Sequence, residues 1–478
     1  MKTSQQISTN RIVYALAWVL LLWACNSDEQ HYTTDAPEPL PVKSDLSRFD
    51  NGERVMMQAF YWDVEPRFEW WTTLTGKIED WAASGIDRIW LPVATKGQSG
   101  EYSMGYDPSD YFDFGEFDQH GTVPTRFGTR AQLETLIREA HQNGLEVIAD
   151  IVLNHNSGGG EEFNPYRNKN TYTHFDTTHG NASGKFDRSY KDFHPNSLHD
   201  HDEEALFFEE QDLCHHQPRV QEWLWKGENS IAHYYKDHMK FDGWRFDYVK
   251  GFGPWVVKAW NDEVGGFSVG EYWDGNAPDL AQWVEDSGSR AFDFACFYKL
   301  DEALDRQKDL RVLSGDMLRK IYPDKAVTFV SNHDTEKDEN PENNISVTNK
   351  MLAYAYILTH DGYPTIFYSD FENTNYRTGL RALIRIHNSI ASGDIEILYQ
   401  GEKEYIMKRH GSEDNPGLIL YMNIGTSNRQ HTVSSNWKNT KLVDYAGRTN
   451  AWLITDDQGQ VTIEAPAHNF AVWSVSEE

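Results

Sequence analysis

"GWRFDYVKG" (243–251) is an apolar strand pattern that carries two opposite charges. Trp244, Phe246 and Tyr248 fall on one face and Arg245 and Asp247 on the other, because strand side chains alternate with period two. A charge that faces inward must be paired or put to use. On this stretch alone, a structural ion pair and a working pair are equally open. The neighbouring stretches decide between them.

Working outward from it, seven more short apolar runs appear: "VMMQAF" (55–60), "IDRIWLPV" (86–93), "LEVIADIVLNH" (145–155), "GFSVGEY" (266–272), "AFDFACF" (291–297), "AVTFVSNHD" (326–334) and "PTIFYSD" (364–370). With "FDGWRFDY" (241–248) they make eight strands. Amphipathic helical stretches separate several of them, such as "RAQLETLIREAHQNG" (130–144), which ends at Gly144. Eight strands alternating with helices predict an α/β fold, a (β/α)8 TIM barrel over residues 51–396. The gap 156–218 is rich in Asn, His, Asp and Gly and reads as a subdomain inserted after strand three. From 397 to 478 the pattern changes to "EYIMKR", "GLILYMNI", "KLVDYA" and "FAVWSVS", which predicts a C-terminal antiparallel β-sandwich.

Composition narrows the partners. Lys and Arg number 44 against 74 Asp and Glu, a net charge of −30, which excludes nucleic acid and bare anionic membrane as partners. Tryptophan (17) and tyrosine (24) are abundant enough to leave rings for lining a cleft. Three cysteines, Cys25, Cys214 and Cys296, are too few for a disulfide scaffold. Residues 11–24, "RIVYALAWVLLLWA", follow Lys2 and Arg11 and have the form of a signal-peptide core over 1–25. The run ends in "LWAC", which resembles a bacterial lipobox with Cys25 as the lipidated residue, and 26–50 reads as a flexible tether. The expected location is outside the cytoplasm: an outer-membrane lipoprotein at the cell surface or in the periplasm, touching membrane only through its lipid.

Barrel enzymes keep their chemistry at the C-terminal ends of the strands. Those ends carry Asn154–His155, Arg245–Asp247, Glu271 and His333–Asp334. Glycoside hydrolysis with retention needs a carboxylate nucleophile and a carboxylic acid about 5–5.5 Å apart, and adjacent strands four and five can supply them. A cation at hand favours an ionised carboxylate, which suits Asp247 to the nucleophile's role. Glu271, in "GEYW" beside Tyr272 and Trp273, is expected in a drier place that keeps it protonated.

"DIVLNH" (150–155), "GWRFDYVKG" (243–251), "GEYW" (270–273) and "FVSNHD" (329–334) together resemble the four ordered motifs of the α-amylase family of glycoside hydrolases, and "MQAFYWD" (57–63) and "EYSMGYDP" (101–108) resemble the archaeal and plant-type members most closely. The resemblance implies Asp247 as nucleophile, Glu271 as general acid/base and Asp334 as the third carboxylate, which holds sugar hydroxyls. It implies His155 and His333 as hydrogen-bond partners of the same sugar, Tyr106 as its stacking ring, Arg245 as the nucleophile's partner and Lys250 on the leaving-group side, with Trp273 nearby as a binding ring. Gly251 stands where fungal and animal-type members have His, a departure that touches leaving-group binding. The family also implies a structural calcium between barrel and insert, held by Asn154, the Gly251 carbonyl, Asp202 and Asp212. Calcium takes six to eight oxygens, and 200–212 holds seven acids.

His194, His199 and Cys214 offer ligands that zinc prefers and calcium does not. Similar positions in archaeal-type members hold a second metal. No fourth ligand stands out from the sequence; His215, His216, an acid or water could serve. The expected function is an endo-acting, retaining, monomeric α-amylase acting on starch and related α-1,4-glucans. A transglycosylating or cyclodextrin- or pullulan-cleaving relative would use the same residues, and a non-catalytic starch-binding lipoprotein would need a carboxylate that is missing. None is.

Overall fold

The computed structural model describes residues 54–176, 182–183, 185–201, 207–338, 340 and 343–476. The leader 1–25 with Cys25, the tether 26–50 and Asp202 lie outside the described residues.

Eight parallel strands close into a barrel: β1 (Val55–Gln58), β2 (Ile86–Trp90), β3 (Glu146–Ile151), β4 (Gly243–Phe246), β5 (Phe267–Gly270), β6 (Arg290–Phe292), β7 (Ala326–Phe329) and β8 (Tyr363–Phe367). Each strand pairs with its sequence neighbours and β8 returns to β1. Strands β1, β4, β5 and β7 are buried along their whole length. That follows from the architecture, since helices cover the outer face and side chains fill the inner one.

The opening stretch shows how the two faces divide. Trp244 and Phe246 pack edge-on against Trp260 of the covering helix Pro254–Val264. Arg245, on the other parity, stands in register with Asp150 of β3. Tyr248 departs from the expected pattern. The strand stops at Phe246, and Tyr248 takes a left-handed backbone (φ 44°) that opens a 3-10 turn, Val249–Gly251. Its ring therefore leaves the apolar face and meets Phe207 of the insert, 5.1 Å away.

A second departure concerns "AFDFACF". Only Arg290–Phe292 is strand, and Phe294–Asp301 is helix. The cause is Asp293. Its carboxylate caps the helix at Cys296 N (2.9 Å) and also accepts from Leu318 N (3.1 Å) and Arg319 N (2.8 Å). A side chain that satisfies three amides there turns the chain out of the strand. The helix Arg130–Gln142 forms as expected, opened by a capping box between Thr129 and Gln132, with Leu133, Leu136, Ile137 and Ala140 buried.

The insert leaves after β3 and carries a hairpin, Gly160–Asn164 with Lys169–His174. It returns to the barrel through a bridge between His155 and Asp212 and a bond from Leu213 N to Asn154 O (2.9 Å). After the last helix, Thr374–Ile390, come β9 (Ile395–Gln400), β10 (Glu404–Arg409), β11 (Leu418–Asn423), β12 (Arg429–Ser434), β13 (Lys441–Asp444), β14 (Trp452–Ile454), β15 (Gln460–Ala465) and β16 (Asn469–Val475). They form a six-stranded sheet, ordered β9-β10-β11-β16-β13-β14, and the pair β12-β15. Ile406, Ile419, Tyr421 and Trp473 of the larger sheet share a core with Val433, Val461 and Ile463 of the smaller one. Cys214 and Cys296 are free and buried.

Replacing Asp293 by Ala leaves three buried amides without their acceptor. Cap loss and the orphaned donors together should cost about 3 kcal/mol. Urea denaturation should show this as a lower midpoint with an unchanged slope.

Candidate active site

The strand ends gather four acids and one guanidinium. Arg245, 1% exposed, reaches Asp150 Oδ1 (2.8 Å) and Asp247 Oδ1 (2.7 Å) with Nη1, and Glu271 Oε1 (2.8 Å) with Nη2. Its position is dictated by register. Asp150 pairs with Arg245 across β3–β4, and Phe246 with Gly270 across β4–β5, so Asp247 and Glu271 leave their strands side by side. The second oxygen of Glu271 accepts from Tyr248 N (3.1 Å). The guanidinium also lies over the Trp90 ring, 4.9 Å from its centroid.

One cation cannot neutralise this many buried acids, and their proton affinities show it. Burial, opposed by Arg245 and reinforced by the charges of Asp247 and Asp334, holds the Glu271 carboxyl well above the usual range. Burial likewise pushes Asp150 up to about 6, against the pull of Arg245. Asp334 is raised by burial too. Asp247 and Glu271 remain 8% and 7% exposed, so both still face the opening of the barrel.

Around them the expected residues assemble. Tyr106 donates to Asp150 Oδ2 (2.8 Å), and its ring stacks on His333 with centroids 5.3 Å apart. His333 Nε2 lies 3.4 Å from Asp334 Oδ2. His155 is buried, and its Nε2 is 2.8 Å from the Tyr106 carbonyl. Burial lowers the pKa of His155, and burial with the nearby Arg245 charge takes His333 well below its ordinary value, so both rings are neutral. Lys250 pairs with Asp274 (2.7 Å) and lies over the Tyr272 ring. Trp273 is set apart: it stacks on Phe294 and donates to Tyr298 OH (2.7 Å).

Four members escaped the sequence reading: Asp150, Trp90, Trp62 and Gln58. Asp150 stood inside "DIVLNH", a charge flanked by apolar residues near the C-terminal end of its strand. That signal was available. Trp90 donates to Asp150 Oδ2 (3.1 Å), Trp62 stacks with Tyr106 and His333, and Gln58 lies 3.0 Å from His333 Nδ1. Gln58 and Trp62 stood inside "MQAFYWD", but nothing in local sequence separates Trp90 from ordinary core.

The residues proposed for metals divide into two groups. Asn154 Oδ1 is buried with no hydrogen-bond partner. A Cβ at position 251 would lie 1.9 Å from it, so only glycine keeps that space. An orphaned hard oxygen facing backbone suits calcium. Asp212 is near through the insert's return but gives one oxygen to His194 Nδ1 (2.8 Å). His194 Nε2 and His199 Nδ1 are 3.3 Å apart. Burial pushes the Cys214 thiol up, but hydrogen bonds to His194 and Asn196 outweigh it and hold the thiol below its usual range. Among the described residues, no three His, Cys, Asp or Glu side chains are grouped as a closed metal site.

Comparison with known proteins agrees with the geometry. The family model for the α-amylase catalytic domain matches residues 71–472. The cytoplasmic α-amylase of Escherichia coli K12 is 28% identical over 489 aligned positions, covering 88% of this chain and 99% of that enzyme. An α-amylase of Geobacillus stearothermophilus is 29% identical, covering 84% and 86%. The crystal structure of a Geobacillus thermoleovorans α-amylase complexed with acarbose shares the fold, with TM-score 0.66 at 19% identity over 89% of this chain and 98% of that one.

The raised carboxyls set a pH dependence of stability. The stability each adds is complete below the unfolded value of about 4. It is lost as pH rises through the folded value, about 6 for Asp150. Arg245→Leu removes the one cation that opposes these shifts. At neutral pH the variant should be about 3–5 kcal/mol less stable. It should regain part of that loss at pH 5, where the acids accept protons. Denaturant midpoints at pH 5 and pH 8 check this, and a loss equal at both would contradict it.

Proposed function

The chain belongs to the α-amylase family of glycoside hydrolases, and from that premise we propose that it is an endo-acting, retaining α-amylase that cleaves α-1,4-glucosidic bonds of starch, glycogen and maltooligosaccharides. The observation that carries this reading is the single guanidinium that touches both Asp247 and Glu271 within 2.8 Å. Two carboxyls on one guanidinium stand close together, as double displacement needs. Asp247 attacks the anomeric carbon while Glu271, kept protonated by its burial, gives its proton to the leaving oxygen. Glu271 then takes a proton from water as that water releases the sugar from Asp247. Asp334, His155 and His333 hold the hydroxyls of the same sugar, Tyr106 stacks on it, and Lys250 and Trp273 bind outside it.

Asp247→Asn and Glu271→Gln should each lower kcat by several orders of magnitude while the fold survives. Early NMR of a maltooligosaccharide digest should show the α-anomer. More than about a tenth of wild-type activity in a clean Asp247→Asn sample, or a β product, would overturn the assignment.

Calcium is proposed at Asn154 Oδ1, the Gly251 carbonyl, Asp212 and Asp202, and zinc at His194, His199 and Cys214. The 3.3 Å between the His194 and His199 nitrogens supports the second site, being close to the spacing of two nitrogens on one tetrahedral zinc. Asp212 on His194 Nδ1 resembles the outer carboxylate that orients a zinc-bound histidine. The calcium would tie the insert to the barrel, the zinc would staple the insert itself, and neither would take part in bond cleavage. Metal analysis should find about one zinc per chain. Cys214→Ser should lose it, with a lower Tm and calcium retained.

Lipidation at Cys25 is proposed to hold the enzyme at the outer face of an outer membrane. Expressed in a lipoprotein-processing bacterium, wild type should sediment with membranes and Cys25→Ala should not. Protein left intact by protease on whole cells would argue against the outward face.

A further inference from the structure

We propose that Gln58 is a positioning residue that fixes the tautomer of His333, so that His333 presents Nε2–H toward Asp334 and the sugar hydroxyl between them. Gln58 ends β1 and is 0% exposed. Its amide nitrogen lies 3.0 Å from His333 Nδ1. An amide nitrogen only donates, so Nδ1 carries the lone pair and the ring's single proton sits on Nε2. The other end of the ring agrees: Nε2 faces Asp334 Oδ2 at 3.4 Å, where a lone pair would be repelled by a carboxylate.

The ring cannot trade its nitrogens by turning over. It is stacked with Tyr106 at 5.3 Å and 9° and with Trp62 at 5.8 Å and 18°, and Phe60 packs at 4.8 Å. Burial and the Arg245 charge keep the ring neutral, so one proton and two sites define the question. The same atoms argue against a strut. Gln58 Oε1 is buried with no hydrogen-bond partner among the described residues. A half-satisfied amide is a burden on the fold. Holding a histidine proton in place is what this one does.

The inference rests on the proposed role of His333 in holding the sugar, but its test does not. In full-length protein with 15N-labelled histidine, a His333→Gln sample identifies the His333 signals. Wild type should show a pyridine-type Nδ1 and a pyrrole-type Nε2. Gln58→Met should blur that pattern, lower kcat/KM on maltooligosaccharides about tenfold, chiefly through kcat, and leave Tm unchanged or higher. A protonated Nδ1 in wild type, which needs no variant to observe, overturns the proposal. So does a Gln58→Met enzyme with wild-type kcat/KM. An enzyme without activity on α-glucans would instead overturn the reading of function and leave the tautomer measurement standing.

Discussion

Everything at the mouth of this barrel depends on one buried cation. Arg245 is shared by Asp150, Asp247 and Glu271, each within 2.8 Å. Buried carboxylates repel one another and lose their water, so without a shared counter-charge they would protonate or move apart. With one guanidinium among them the compensation is partial, and the shortfall appears as a raised Glu271 and Asp150. A single residue thus gathers the acids in one place and limits how far burial raises them. The charge in "GWRFDYVKG" is paired and put to use at once.

The second constraint is the way layers of rings and amides hold the polar groups still. Tyr106 lies between Asp150, which accepts a hydrogen bond from its hydroxyl, and His333, which stacks on its face. Trp62 extends that stack and Trp90 closes it beneath Arg245. The insert adds a wall: Phe208 stacks on His155 at 4.1 Å and Phe207 meets Tyr248. These contacts join barrel strands to a segment far away in sequence. The site is therefore as rigid as the union of insert and barrel, which is where the proposed calcium would act.

Sequence pattern located all eight barrel strands and the covering helix Arg130–Gln142, because apolar periodicity and capping are local properties. It failed where a side chain's long-range bonds overrode the pattern. Asp293 reads as one more residue of a strand until its bonds to Leu318 N and Arg319 N are seen. Tyr248 reads as the third member of an apolar face until its left-handed backbone removes it. In the C-terminal module, β12 and β15 pair only with each other; β12 is polar and largely exposed, which hid it from periodicity, whereas β15 alternates with period two and was legible.

By itself the sequence determined which chemical groups stand at strand ends, in what order, and hence the family, since four ordered motifs carry both identity and spacing. Tertiary structure alone decided how those groups share charge. Asp150 and Arg245 are 95 residues apart, and Arg245 and Glu271 come from different strands, so their coupling is a property of register. The same holds for Gln58 and His333, separated by 275 residues and joined only because β1 and β7 flank β8 around a closed barrel. Which acid is protonated, and which nitrogen of a histidine carries its proton, follow from burial and neighbours, and those exist only once the barrel has closed.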